Sequence, residues 1–279
     1  MLIRALLFFG LCFQFSFPAL AFDFDFNKAL DFAKKAQQAT KTIGEPEEIE
    51  IGDGIAANLL GASSLLADNR ANQYVNRVGR WLSIHTERPD LPWKFGILES
   101  SDINAFATPG GTIFITRGLL QRMNNESELA GVLAHEMVHV LRKHHLTALQ
   151  KGARMDIASE LANQTLKNKG DPAVMDKAIK AGTEVYARGL DKNDEFEADR
   201  MGIVIASRAG YDPYGLPAVL QILEAINAKD SSLALMFKTH PAPQDRLSLL
   251  DKIMSKGFDA YPAPTQTDQR FNSEIALRK

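Results

Sequence analysis

Between Leu129 and Leu141 every residue is apolar or small except His135, Glu136 and His139. A helix that is hydrophobic nearly all round is a buried one, so three polar side chains inside it need partners or a metal ion. Asn125-Glu126-Ser127-Glu128 just before the run reads as an N-cap followed three residues later by Glu, a capping-box variant that starts a helix. Apolar and β-branched stretches at 93–98, 103–107 and 112–116 predict short strands, the last two flanking a turn at Thr108-Pro109-Gly110-Gly111. The remaining periodicity predicts two helices within 47–86 and others at about 126–147, 152–168, 172–189, 194–209, 213–228 and 243–256. The pattern is that of an α+β chain, mostly helical, with a small sheet.

The ends of the chain follow other rules. Met1–Arg4 is a short positive segment, Ala5–Phe17 is apolar, and Pro18-Ala19-Leu20-Ala21 supplies an A-x-A cleavage site. This predicts a signal peptide over 1–21; its rival is an uncleaved membrane anchor, because the apolar stretch runs almost to Phe26. A Lys-, Gln- and Ala-rich helix at Asn27–Ile43, set off by Gly44-Glu45-Pro46, makes 22–44 an N-terminal extension to a main domain at 45–258. The proline-bearing, polar stretch 259–279 reads as a disordered tail. Cys12, the one cysteine, lies in the leader, so the 258 residues left after cleavage (279 − 21) depend on no disulfide. Losing Arg4 leaves 31 basic residues against 34 acidic ones, a net charge near −3 without a basic patch, which excludes nucleic acid as a partner. After the leader no apolar run reaches 18 residues, so no transmembrane span is expected once it is cleaved. The expected compartment is a Gram-negative periplasm, with peripheral contact with envelope proteins.

His135-Glu136-Met137-Val138-His139 carries the chemistry. Positions four apart on a helix share a face, so both imidazoles reach one metal ion. Glu136 lies about 100° round from His135, where a carboxylate can take a proton from a water that the metal activates. The ordinary alternative is a pair of hydrogen-bonded core histidines with Glu136 as an ion-pair partner, but a buried carboxylate between two imidazoles is costly without a cation. A catalytic zinc needs a third protein ligand and an open position. The segment Asp191–Gly202 offers Glu195 and Glu197. Glu195 shares a face of small residues with Ala198, Asp199 and Gly202; Glu197 lies about 200° away, among residues that suit an outer, salt-bridged position. Glu195 is therefore the expected ligand. Asp199, one turn on, is placed to accept the free ring N–H of a metal-bound histidine.

The set resembles the gluzincin zinc metallopeptidases that include the BepA, HtpX and CAAX prenyl proteases. It is carried by His135-Glu136-x-x-His139, by Glu195-x-x-Ala198-Asp199, by Asn104–Leu120 ahead of the first motif, and by Thr239-His240-Pro241 with Arg246 behind it. The resemblance covers roughly 45–255 and implies a zincin-like core, one Zn2+ per chain on His135, His139 and Glu195, and Glu136 as base. It also implies polypeptide substrates, held in extended form along Asn104, Ala105, Phe106 and Ala107. His240 is implied as a latch that fills the water position. For the oxyanion donor the candidates are Arg246, ranked first, His240 and Tyr186. No tetratricopeptide pattern is present in this sequence, which puts an outer-membrane-assembly role in doubt.

The expected function is a periplasmic zinc endopeptidase that cleaves unfolded or misassembled envelope proteins. Its rivals are a chaperone or assembly factor whose zinc site is latent, and a zinc hydrolase with a non-peptide substrate. His144 and His145, behind Arg142 and Lys143, read as a solvated cationic helix end that suits the helix dipole, and His85 as a surface residue.

Overall fold

The computed structural model describes residues 43–152, 190–226, 230–254, 258, 261 and 266–275. The leader, the 22–42 part of the extension, Tyr186, the expected helix at 172–189 and all but the first residue of that at 152–168 lie outside them. Two helices lead, α1 (Glu45–Ala62) and α2 (Asn69–Ser83), followed by β1 (Lys94–Leu98), β2 (Ala105–Thr108) and β3 (Thr112–Thr116). A single turn, α3 (Arg117–Leu120), then leads into α4 (Glu126–Leu141). Beyond it come α5 (Lys192–Arg208), α6 (Gly215–Ala225), a 3-10 turn (Ser231–Leu233), α7 (Ala234–Thr239), α8 (Pro243–Ile253) and α9 (Gln266–Glu274).

The strands form one sheet in the order β1-β3-β2, with β1 parallel and β2 antiparallel to β3. Between β2 and β3 the chain reverses through Gly110 (φ 78°) and Gly111 (φ 104°), left-handed conformations that glycine adopts without a steric penalty. α1 lies directly on that turn: a Cβ on Gly52 would stand 1.6 Å from the Pro109 carbonyl oxygen.

α4 is the centre of the molecule, and Glu126–Val140 are all buried. Asn125 caps it, its side chain accepting from the Glu128 amide at 2.9 Å. The Glu128 carboxylate reaches one residue further back than a standard capping box, to the Asn124 amide at 2.6 Å. The sheet, α2, α5 and α6 pack around this helix. α5 meets it backbone to backbone: a Cβ on Gly202 would stand 2.9 Å from the His135 backbone nitrogen, so no side chain lies between them.

Two expectations are corrected. The helix expected to run to 147 stops at Leu141, because Lys143 takes a left-handed backbone (φ 56°), and a new helix opens at His144. The tail expected to be disordered contains α9, and Phe271 of that helix and Ile275 just beyond it are buried in the core. Those two residues stand four apart and form one helical face, which the proline-rich, polar composition around them obscured. No helix among the described residues is long and apolar enough to cross a membrane.

Candidate metal centre

His135 and His139 project from successive turns of α4, and α5 brings Glu195 to meet them. The Nε2 atoms of the two histidines lie 3.1 Å apart; Glu195 Oε1 is 3.5 Å from His139 Nε2, and its Oε2 is 3.7 Å from His135 Nε2. All three residues are buried, and among the described residues they are the group whose ligand atoms converge closely enough to hold a metal ion. Nitrogen ligands about 2.1 Å from a tetrahedral zinc stand about 3.4 Å apart, so the observed separations fit such a centre. Glu195 Oε1 is buried without a hydrogen-bond partner, an orphaned acceptor that a cation satisfies.

The groups behind the ligands are also in place. Asp199 Oδ1 is 2.9 Å from His135 Nδ1, the outward nitrogen of that ring. Arg246 holds the same carboxylate with two nitrogens, Nε at 2.8 Å and Nη2. Arg246 is therefore brought to the site as the partner of Asp199, a commitment that its spacing from His240 did not reveal. His240 arrives at the end of α7 and donates through Nδ1 to Glu195 Oε2 at 2.6 Å. Glu197, on the outer face of α5, pairs with Arg142 at 3.1 Å.

Electrostatics follow from burial. Burial pushes the Glu136 carboxyl above its ordinary value, against the pull of His135 and His240. Burial would also raise Glu195, but His240, His135 and Arg246 outweigh it and hold that carboxyl down at about 2. The Arg246 guanidinium and His135 likewise overcome burial at Asp199 and keep it well below the usual carboxylate range. Burial and the surrounding histidines keep His139 neutral, the form that binds metals.

A small pocket of about 40 Å³ opens onto His135 and Glu136. One wall is Asn104 and Ala105 at the start of β2; the other is mainly apolar, from α6. The Asn104 backbone is fixed by Thr116, whose Oγ1 accepts from its amide at 3.1 Å. Its side-chain amide is buried, with neither Oδ1 nor Nδ2 partnered. Phe106 and Ala107 continue β2, and both are buried.

His144 and His145 correct the reading of a solvated helix end. Both are buried, because the turn at Lys143 swings them inward, and His144 Nδ1 lies 3.0 Å from His139 Nδ1. The signal was a third and fourth histidine within six residues of His139. The cationic pair before them, Arg142 and Lys143, pointed instead to a solvated helix end.

A buried helix bearing two histidines and a glutamate, joined by a second helix bearing an acidic ligand, defines a class of metal-dependent hydrolases. The model of Peptidase family M48 matches residues 69–254, and the chain belongs to that family. It is 30% identical over 248 residues to the Beta-barrel assembly-enhancing protease of Escherichia coli (strain K12), covering 84% of this chain and 51% of that protein. It is 26% identical over 226 residues to the Mitochondrial metalloendopeptidase OMA1 of Schizosaccharomyces pombe, covering 80% of this chain and 61% of that one. The chain thus spans about half the length of the first of these relatives.

Proposed function

We propose that this chain is a zinc-dependent endopeptidase in which His135, His139 and Glu195 hold one Zn2+ and Glu136 is the general base. The observation that carries the reading is the convergence of three buried ligand atoms, one of them on His135, which lines a pocket together with Glu136. Zinc held there supplies Lewis acidity, lowering the pKa of a water toward about 7 and polarising a peptide carbonyl. Glu136, its proton affinity raised by burial, takes the proton of the attacking water and returns it to the leaving amine. Asp199, held by Arg246, fixes the ring of His135. Arg246, which lines the same pocket, is the oxyanion donor.

The substrate is an extended polypeptide lying along Asn104–Ala107, and the unpartnered Asn104 amide supplies hydrogen bonds to its backbone. Unfolded or misassembled envelope proteins fit this site, because only a chain free of its own structure presents such a segment. The leader pattern at 1–21 and the naming of the bacterial relative as a barrel-assembly-enhancing protease support a periplasmic setting. His240, seated on a ligand carboxylate, is the latch of the resting site.

Digestion of casein by the parent and by Glu136→Gln tests the reading. The variant should keep its zinc and lose activity at least ~100-fold, the usual contribution of a positioned base. Equal activity in the two proteins sinks the assignment. A parent that binds unfolded clients and never cuts them favours the chaperone instead.

A further inference from the structure

We propose that His144 is a positioning residue of the metal centre, orienting His139 as Asp199 orients His135. This rests on the reading of the site as a zinc centre. Nε2 of His139 faces His135 and Glu195, so it must present a lone pair there. The ring proton of neutral His139 is then on Nδ1, and the atom 3.0 Å away to receive it is Nδ1 of His144. His144 in turn carries its own proton on Nε2, which lies 3.5 Å from Glu197 Oε2 and 3.7 Å from Asp194 Oδ1. Both carboxylates sit on α5, the helix that also bears Glu195. One line of contacts therefore runs from α5 through His144 to a ligand on α4, and it fixes the tautomer of that ligand as well as its rotamer.

The chain is bent to achieve this. His144 reaches His139 because Lys143 takes a left-handed backbone that side-chain-bearing residues rarely adopt. Surrounding structure must hold such a conformation in place. Here the Lys143 ammonium pairs at 2.9 Å with Glu48 of α1, a carboxylate that is itself buried.

The test compares the full chain with His144→Leu and His144→Asn. The leucine fills the space without an acceptor, whereas the asparagine Oδ1 restores one close to where Nδ1 was. Zinc affinity is measured by competition with a chelating indicator, the cobalt(II) absorption spectrum reports ligand geometry, and melting of the metal-free proteins reports the fold. His144→Leu should bind zinc 10–100-fold more weakly and shift the cobalt bands, while His144→Asn stays within roughly threefold of the parent. The metal-free forms should melt alike. Zinc binding by His144→Leu as tight as the parent's overturns the inference. So does equal weakening in both variants with an equal fall in metal-free melting, which marks a structural residue. A parent that binds no zinc refutes the reading of the whole site, and this inference with it.

Discussion

Glu195 and Glu197 are two residues apart and face opposite ways. Glu195 is fully buried beside His135 and His139, and Glu197 pairs at the surface with Arg142. Glu195→Gln should therefore abolish stoichiometric zinc in metal analysis, while Glu197→Gln retains it; zinc lost only from the second variant would show the assignment wrong. His240→Ala removes the donor on Glu195 Oε2 without touching an α4 ligand, so zinc should stay and casein turnover should rise. Unchanged or abolished turnover counts against a latch. At this scale much of the site was legible, because helical arithmetic on His135, His139, Glu195 and Asp199 needs only the sequence spacing. His144 was not. Its place depends on the left-handed turn at Lys143, which no local propensity announces, and on an ion pair reaching back to Glu48.

Among the elements, α1 shows how a helix outside the metal site supports it. Glu48 accepts from Arg88 at 2.9 Å and pairs with Lys143, tying α1 to the end of α4. Burial raises the Glu48 carboxyl, but hydrogen bonds and charge from Arg88 and Lys143 prevail and bring it below its ordinary 4.5. A carboxylate lowered in the folded state adds stability that is complete above its unfolded value and fades as pH falls through the folded one. Glu48→Gln should accordingly cost about 2 kcal/mol in denaturant titrations near pH 7. The gap to the parent should close progressively below pH 4.5. A gap that is constant down to pH 3 would show that shape, and not charge, holds α1. The strands were legible from their β-branched runs around Thr108–Gly111. Their order was not, because the parallel pairing of β1 with β3 skips β2 and leaves no local mark.

For the whole molecule, the tail matters most. α9 seats Phe271 against Tyr74 at a ring-centroid distance of 6.3 Å, and Arg270 pairs with Glu126 in the first turn of α4. Glu126 also accepts from the hydroxyls of Tyr74 at 2.5 Å and Tyr211 at 3.0 Å, so α2, α9 and the loop before α6 all close on the start of the metal helix. Phe271→Ala should cost about 3–5 kcal/mol, read as a fall in the thermal midpoint. A loss under about 1 kcal/mol would show α9 to be dispensable.

The contact at Gly202 has a consequence for motion. Where two helices meet backbone to backbone, sliding or rotating one past the other drives side chains into the close-packed contact. α4 and α5 should thus behave as one cooperative block that opens only when the protein unfolds globally, while the short α7 that ends at His240 opens on its own. Amide hydrogen exchange should show this as two populations: amides at 132–139 and 198–206 exchange slowest, at the global rate, and those at 236–240 exchange well before them. Access to the site would then be set by the opening of α7, at a fraction of the free energy that keeps α4 and α5 together.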